Sequence, residues 1–302
     1  MGAIIILFCL VCVSSADVFA DILRTPGVAG MPFLKIGLSA RPQGIAETFT
    51  SLGDDVSSIE YNPAGIGRAS KNELQIAHVV WFEDVTLHGL FFAHRLGKSV
   101  FGLAASMLQA QDRVRTLVQV NDTSAEVRET ETINLNDSAF SMVYSAYISE
   151  GVYLGFSAKY LNEKLYSMNN YALAGDVGIL YFSEATRSSY GFSIQNAGSA
   201  IGGDILPATA RLGFGTHSDG YNFGLDIIQR IDSKIKVSMG LEMFFSKMFV
   251  FRGGVFYQQA FNFTGGLGIG LAEKNPAVWL DYAYLPNADF GTAHRISLLF
   301  KF

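Results

Sequence analysis

From about residue 73 to its last residue the chain alternates large apolar side chains with small or polar ones at a period of two, the pattern of a strand with two unlike faces. In "RISLLFKF", Ile296, Leu298, Phe300 and Phe302 share one face, and Arg295, Ser297 and Lys301 share the other. In "YNFGLDII", Tyr221, Phe223, Leu225 and Ile227 oppose Asn222, Gly224 and Asp226. The same reading gives fourteen candidate strands between 73–82 and 293–302. Their charges sort onto one side: Lys159, Asp176, Arg211, Asp226, Lys236, Glu242, Arg252, Asp281 and Arg295 all lie opposite the bulky residues of their own strands, together with small residues such as Gly155, Gly240 and Gly266. The stretch 86–96 resists this sorting, because His88, Leu90, Phe92 and His94 fall on one face.

Two architectures produce such alternation, a soluble sandwich with its bulky residues inside and a membrane barrel with its bulky residues outside. Abundant Gly on the charged face favours the barrel. So does segment length, since about ten tilted residues cover an apolar band about 25 Å tall. The number of strands is even, as closure with both ends on one side requires. The expected fold is all-β: a 14-stranded antiparallel transmembrane β-barrel, its bulky residues facing outer-membrane lipid and its charges facing the lumen. Tight turns at 97, 150, 218, 246 and 273 fall on alternate connections. Residues 112–137 form the longest connection, expected as an extracellular hairpin with a turn at "NDTS".

Composition narrows the function. The chain is 49% hydrophobic and 16% charged with a formal charge of -5, which excludes disorder and offers nothing to nucleic acid. Residues 3–13, "AIIILFCLVCV", have signal-peptide length, with cleavage after Ala16 or Ala20, so 1–20 is expected to be a signal peptide. Its Cys9 and Cys12 are the two cysteines of the chain, and a mature chain would have no thiol for a disulfide, a metal or catalysis. The five His are dispersed in sequence, "GGLGIG" at 265 lies in a strand pattern rather than before a helix, and no nucleophile elbow occurs. No cofactor, metal site or enzymatic activity is expected.

Residues 21–72 alternate poorly and are rich in Pro and Gly. A barrel of this size encloses a space wide enough to need filling, so 21–72 is expected inside it as a plug, with 73–302 as the barrel. Within it, Pro63 biases Asn62 to extended backbone, and the Asn62 side chain can accept from the following N–H groups. Asp54 and Asp55 would need cationic partners in a confined lumen, with Arg41, Arg211, Arg252 and Arg295 as candidates. The stretch "ARPQGIAETFTSLGDDVSSIEYNPAGIGRA" resembles the N-terminal signature of the FadL-type outer-membrane transporters and their PorV-like relatives, matched here by Arg41, Gly44, Phe49, Asp54, Asp55, Asn62, Pro63, Ala64 and Gly65. Glu47 departs from it, standing where those relatives usually carry Gly. The resemblance, expected to be to the uncharacterised spirochaete branch of that family, implies a bacterial outer-membrane barrel that passes hydrophobic small molecules such as long-chain fatty acids. The terminal Phe302 resembles the signal read by the barrel-insertion machinery. Two other roles stay open: a PorV-like scaffold for a secreted or surface protein, and a plain porin.

Overall fold

The computed structural model describes residues 29–82, 85–121, 124–272, 276–287 and 291–302. The expected signal peptide, both cysteines and residues 21–28 lie outside them. Fourteen strands close into one antiparallel barrel in which sequence neighbours pair and the last strand returns to the first. They are β1 Glu73–Val80, β2 Thr86–Leu96, β3 Ser99–Asn121, β4 Ser124–Ser149, β5 Val152–Leu165, β6 Met168–Ser183 and β7 Ser188–Gly198. The ring continues through β8 Thr209–His217, β9 Tyr221–Arg230, β10 Lys236–Phe244, β11 Phe249–Tyr257, β12 Phe261–Ala272, β13 Ala277–Asn287 and β14 Gly291–Lys301. Closure runs from Glu73 opposite Lys301 to Val80 opposite His294. β3 and β4 stay paired out to Asn121 opposite Ser124, so the long connection is a continuation of two strands.

Large side chains such as Phe101, Met142, Phe156, Leu173, Phe251 and Phe263 are exposed on the outer face. A uniformly small and charged inner face does not hold all the way round. On β1 to β4 the interior is apolar: Val79, Leu87, Phe91, Val100, Leu108 and Val143 are buried against Met31, Phe33, Leu38, Ile59 and Ile66. Strand β2 is therefore apolar on both faces, with Leu87 and Phe91 inside and the half-exposed Leu90 outside.

Those inner partners belong to the segment from Ala29 to Asn72, which is built from short turns, Pro32–Lys35, Val56–Glu60 and Pro63–Arg68, and one α-turn, α1, Ala40–Gly44. Its backbone lies directly on the wall. A Cβ at Gly155 would overlap the backbone of Pro63 and Ala64, and one at Gly254 would come within 2.6 Å of the Ala46 nitrogen. Gly266 faces Gly44 in the same way, whereas Gly268 faces the side chains of Arg252 and Asp281, and Gly270 the backbone of Met248. The glycines of β12 thus serve two purposes, since only part of that strand meets the segment.

Candidate functional site

The segment and the wall are joined by polar contacts that begin with local backbone rules. Pro63 sits at the first position of its turn, where a missing N–H costs nothing. Asn62 before it is extended, and its side chain accepts from Ala64 N–H at 3.1 Å. The Asn62 amide donates to the carbonyls of Thr50 at 2.8 Å and Ile179 on β6 at 3.1 Å, and the side chain is fully buried. Ser145 on β4 donates to the Ala64 carbonyl, Ser193 on β7 to that of Tyr61, and Gly65 N–H to that of Asn62. Arg95 on β2 holds the carbonyls of Gly67 and Ala69, where the segment leads into β1.

Arg41, on α1, is the hub of a second network. It forks onto Glu242 of β10 with two bonds of 2.9 Å, and reaches Asp54 at 2.5 Å and Asp55 at 2.6 Å. Its guanidinium stacks 5.0 Å from the ring of Phe49, which in turn meets Tyr61 edge-on. Glu242 is shared with Arg252 at 2.8 Å, and Arg252 pairs with Asp281 at 2.6 Å. Of the four candidate partners for Asp54 and Asp55, only Arg41 fills that place. Arg252 is engaged by Glu242 and Asp281, Arg211 by Glu47, and Arg295 donates to the Gly37 carbonyl. Burial alone would raise the Asp54 carboxyl, but Arg41 and Arg68 outweigh it and hold the group below its ordinary value. Lys159 pairs with Asp176 at 2.9 Å between β5 and β6, and Asp226 of β9 accepts from the N–H and hydroxyl of Thr50.

Glu47 is the residue whose role the sequence left hidden. Ala46 and Glu47 both have left-handed backbone, φ 56° and 68°, a conformation that costs a non-Gly residue roughly 1 to 2 kcal/mol. The strain directs one carboxylate at three cations: Arg211 at 3.1 Å, Arg230 at 3.1 Å and Lys236 at 3.2 Å. Burial would raise its carboxyl, yet Lys236, Arg230 and Arg211 more than reverse this and hold it far below the usual carboxylate range. The only sequence signal was a charged residue at a position suited to Gly.

Two cavities border the segment on the side of the β3–β4 hairpin. One, of about 70 Å³, is lined by Phe33, Leu38, Ile59 and Phe91 and by Lys159, Gln195, Arg211 and Arg230. The second, of about 160 Å³, lies between Glu47, Arg230, Lys236 and Arg295, under Trp81 and Leu285. On the outer surface, pairing of β1 with β2 brings His78 and His88 together, their Nδ1 atoms 3.3 Å apart, so these two histidines are not dispersed in space. Phe302 is half-exposed and exchanges backbone hydrogen bonds with Asn72.

This arrangement has known counterparts in fold. The toluene transporter TbuX of Ralstonia pickettii superposes at TM-score 0.58 with 13% identity, over 87% of this chain and 97% of that one. The Pseudomonas putida toluene transporter TodX gives 0.62 with 10% identity, over 93% and 99%. A TodX variant described as a monoaromatic hydrocarbon channel gives 0.65 with 11% identity, over 87% and 98%. At these identities the fold is what is shared. No curated protein matches the sequence. Residues 28–218 match the model of the uncharacterised protein family UPF0164, and the chain belongs to that family.

Proposed function

We propose that the protein is a bacterial outer-membrane transporter of hydrophobic compounds, with long-chain fatty acids as its cargo and residues 21–72 as the plug that gates it. The observation that carries this reading is the 70 Å³ cavity lined both by apolar Phe33, Leu38, Ile59 and Phe91 and by charged Lys159, Arg211, Arg230 and Glu60. An amphipathic carboxylate suits both kinds of lining: its chain gains about 25 cal/mol per Å² buried on the apolar residues, and guanidinium groups bind its head. The cavity is far smaller than the roughly 300 to 1,000 Å³ of sites that enclose drug-sized ligands, so passage requires the segment to shift. The exposed apolar girdle supports a membrane setting, and the toluene transporters of the same fold support a hydrophobic cargo.

The test is uptake of labelled oleate and toluene into proteoliposomes by the whole protein and by a variant lacking residues 29–69. Saturable oleate uptake by the whole protein, turned into unsaturable leak by the deletion, supports the reading. No saturable binding or uptake of either compound overturns it. A scaffold role is favoured by one observation, the β3–β4 hairpin with strands of 23 and 26 residues. Cross-linking through this hairpin in intact cells separates the two, since a scaffold yields one stoichiometric protein partner.

A further inference from the structure

Near Glu47 the cations outnumber the carboxylates that make ion-pair contact with them among the described residues. Arg211, Arg230 and Lys236 share the single carboxylate of Glu47. Lys35 is matched by Asp232 at 2.8 Å, and Glu60 accepts from the N–H groups of Leu38 and Ser39. Asp226 is bound to Thr50. Arg295 is about 1% exposed, donates through Nε to the Gly37 carbonyl, and its Nη1 has no acceptor among the described residues. Its guanidinium stacks 4.9 Å from Trp81 and lines the 160 Å³ cavity beside Arg230 and Lys236. An unmatched buried charge is costly, and an oxyanion accepting from a guanidinium fork relieves that cost. The volume is many times the 10 to 15 Å³ or so that one water needs.

We propose that this cavity is an oxyanion-binding site, formed by Arg295, Arg230 and Lys236, and that Glu47 is its tethered occupant. A phosphate or carboxylate entering from the hairpin side accepts from the Arg295 guanidinium and competes with Glu47 for Arg230 and Lys236. Occupancy therefore weakens one of the attachments that hold the segment to β8, β9 and β10. The site stands on its own chemistry, whatever the barrel carries.

Trp81 is the natural reporter, and Trp279→Phe removes the other tryptophan. The detergent-solubilised barrel is titrated with inorganic phosphate, acetate and decanoate at constant ionic strength, with chloride as the balancing anion, by fluorescence and by calorimetry. Saturable phosphate or acetate binding is expected, at least tenfold weaker in Arg295→Gln and several-fold tighter in Glu47→Gln. A response to phosphate or acetate but not to decanoate identifies a free anion as the occupant, and a response confined to decanoate would identify a lipid head group at the same atoms. Should Arg295→Gln fail to fold, Lys236→Gln is expected to weaken binding several-fold. The proposal is overturned if both methods show no saturable binding of any of the three anions over chloride, or if folded variants at Arg295 and Lys236 bind as tightly as the parent.

Discussion

Replacing Arg41 with Met removes four charge-assisted hydrogen bonds at once and leaves three carboxylates around an apolar side chain. Breaking a buried ion pair by removing one partner costs about 3 to 5 kcal/mol. The lower end applies here, because Glu242 keeps Arg252 and Asn222, and Asp55 still accepts from Ser57 N–H. Asp54, with its side chain 34% exposed, adds little once solvent screens it. A loss of about 3 kcal/mol raises the opening equilibrium of the segment roughly 100-fold, at 1.4 kcal/mol per factor of ten. The barrel itself stays closed, since none of the four bonds joins two strands. Hydrogen exchange measured peptide by peptide should show protection of residues 40–62 falling by about two orders of magnitude while β5 to β9 keep theirs. Protection of 40–62 within threefold of the parent, in a folded barrel, would refute the view that Arg41 is the principal anchor.

Gly155→Val places a branched side chain where the backbone of Pro63 and Ala64 lies, and overpacking of this kind costs roughly 1 to 3 kcal/mol. The urea midpoint should drop and single-channel recordings should show current that the parent blocks. Asn62→Ala strips two donors from buried carbonyls and the acceptor of Ala64 N–H, with an expected loss of about 1 to 3 kcal/mol in urea unfolding. The pH dependence has a defined sign. Because the Glu47 carboxyl is held below its ordinary 4.5 by Lys236, Arg230 and Arg211 against the effect of burial, its stabilisation is complete above that value and lost as pH falls through the depressed one. The protection gap between the parent and Glu47→Gln should be full at pH 7 and narrow below about pH 4.5, and a gap that widens in acid would contradict this.

The strands were legible wherever the two faces differ. On β9 and β14 a bulky outer face and a charged inner face leave one possible register, as Asp226 and Arg295 illustrate. That legibility failed on β2, where the interior is packed by Phe33, Leu38 and Ile59, segments distant in sequence that no period along β2 itself could reveal. The ion pairs were less readable for the same reason. Asp54 and Asp55 find Arg41, thirteen and fourteen residues away in their own segment, while Arg252 serves carboxylates on other strands, Arg211 and Arg230 serve Glu47, and Arg295 takes a backbone carbonyl. The purpose of Glu47 depended on a backbone angle, and Ala-Glu carries no signal for left-handed geometry. The fold belongs to local pattern; the lumen belongs to long-range pairing.

Ring closure by β1 and β14 imposes an order on biogenesis. Residues 29–72 precede the first stave along the chain; Glu73, at the seam, bonds both Lys301 and the Val56 amide. Threading a folded insert into a finished hoop would mean rupturing these attachments and rebuilding them blind. The interior must be loaded while the hoop is still open, so the wall shuts around residues 29–72.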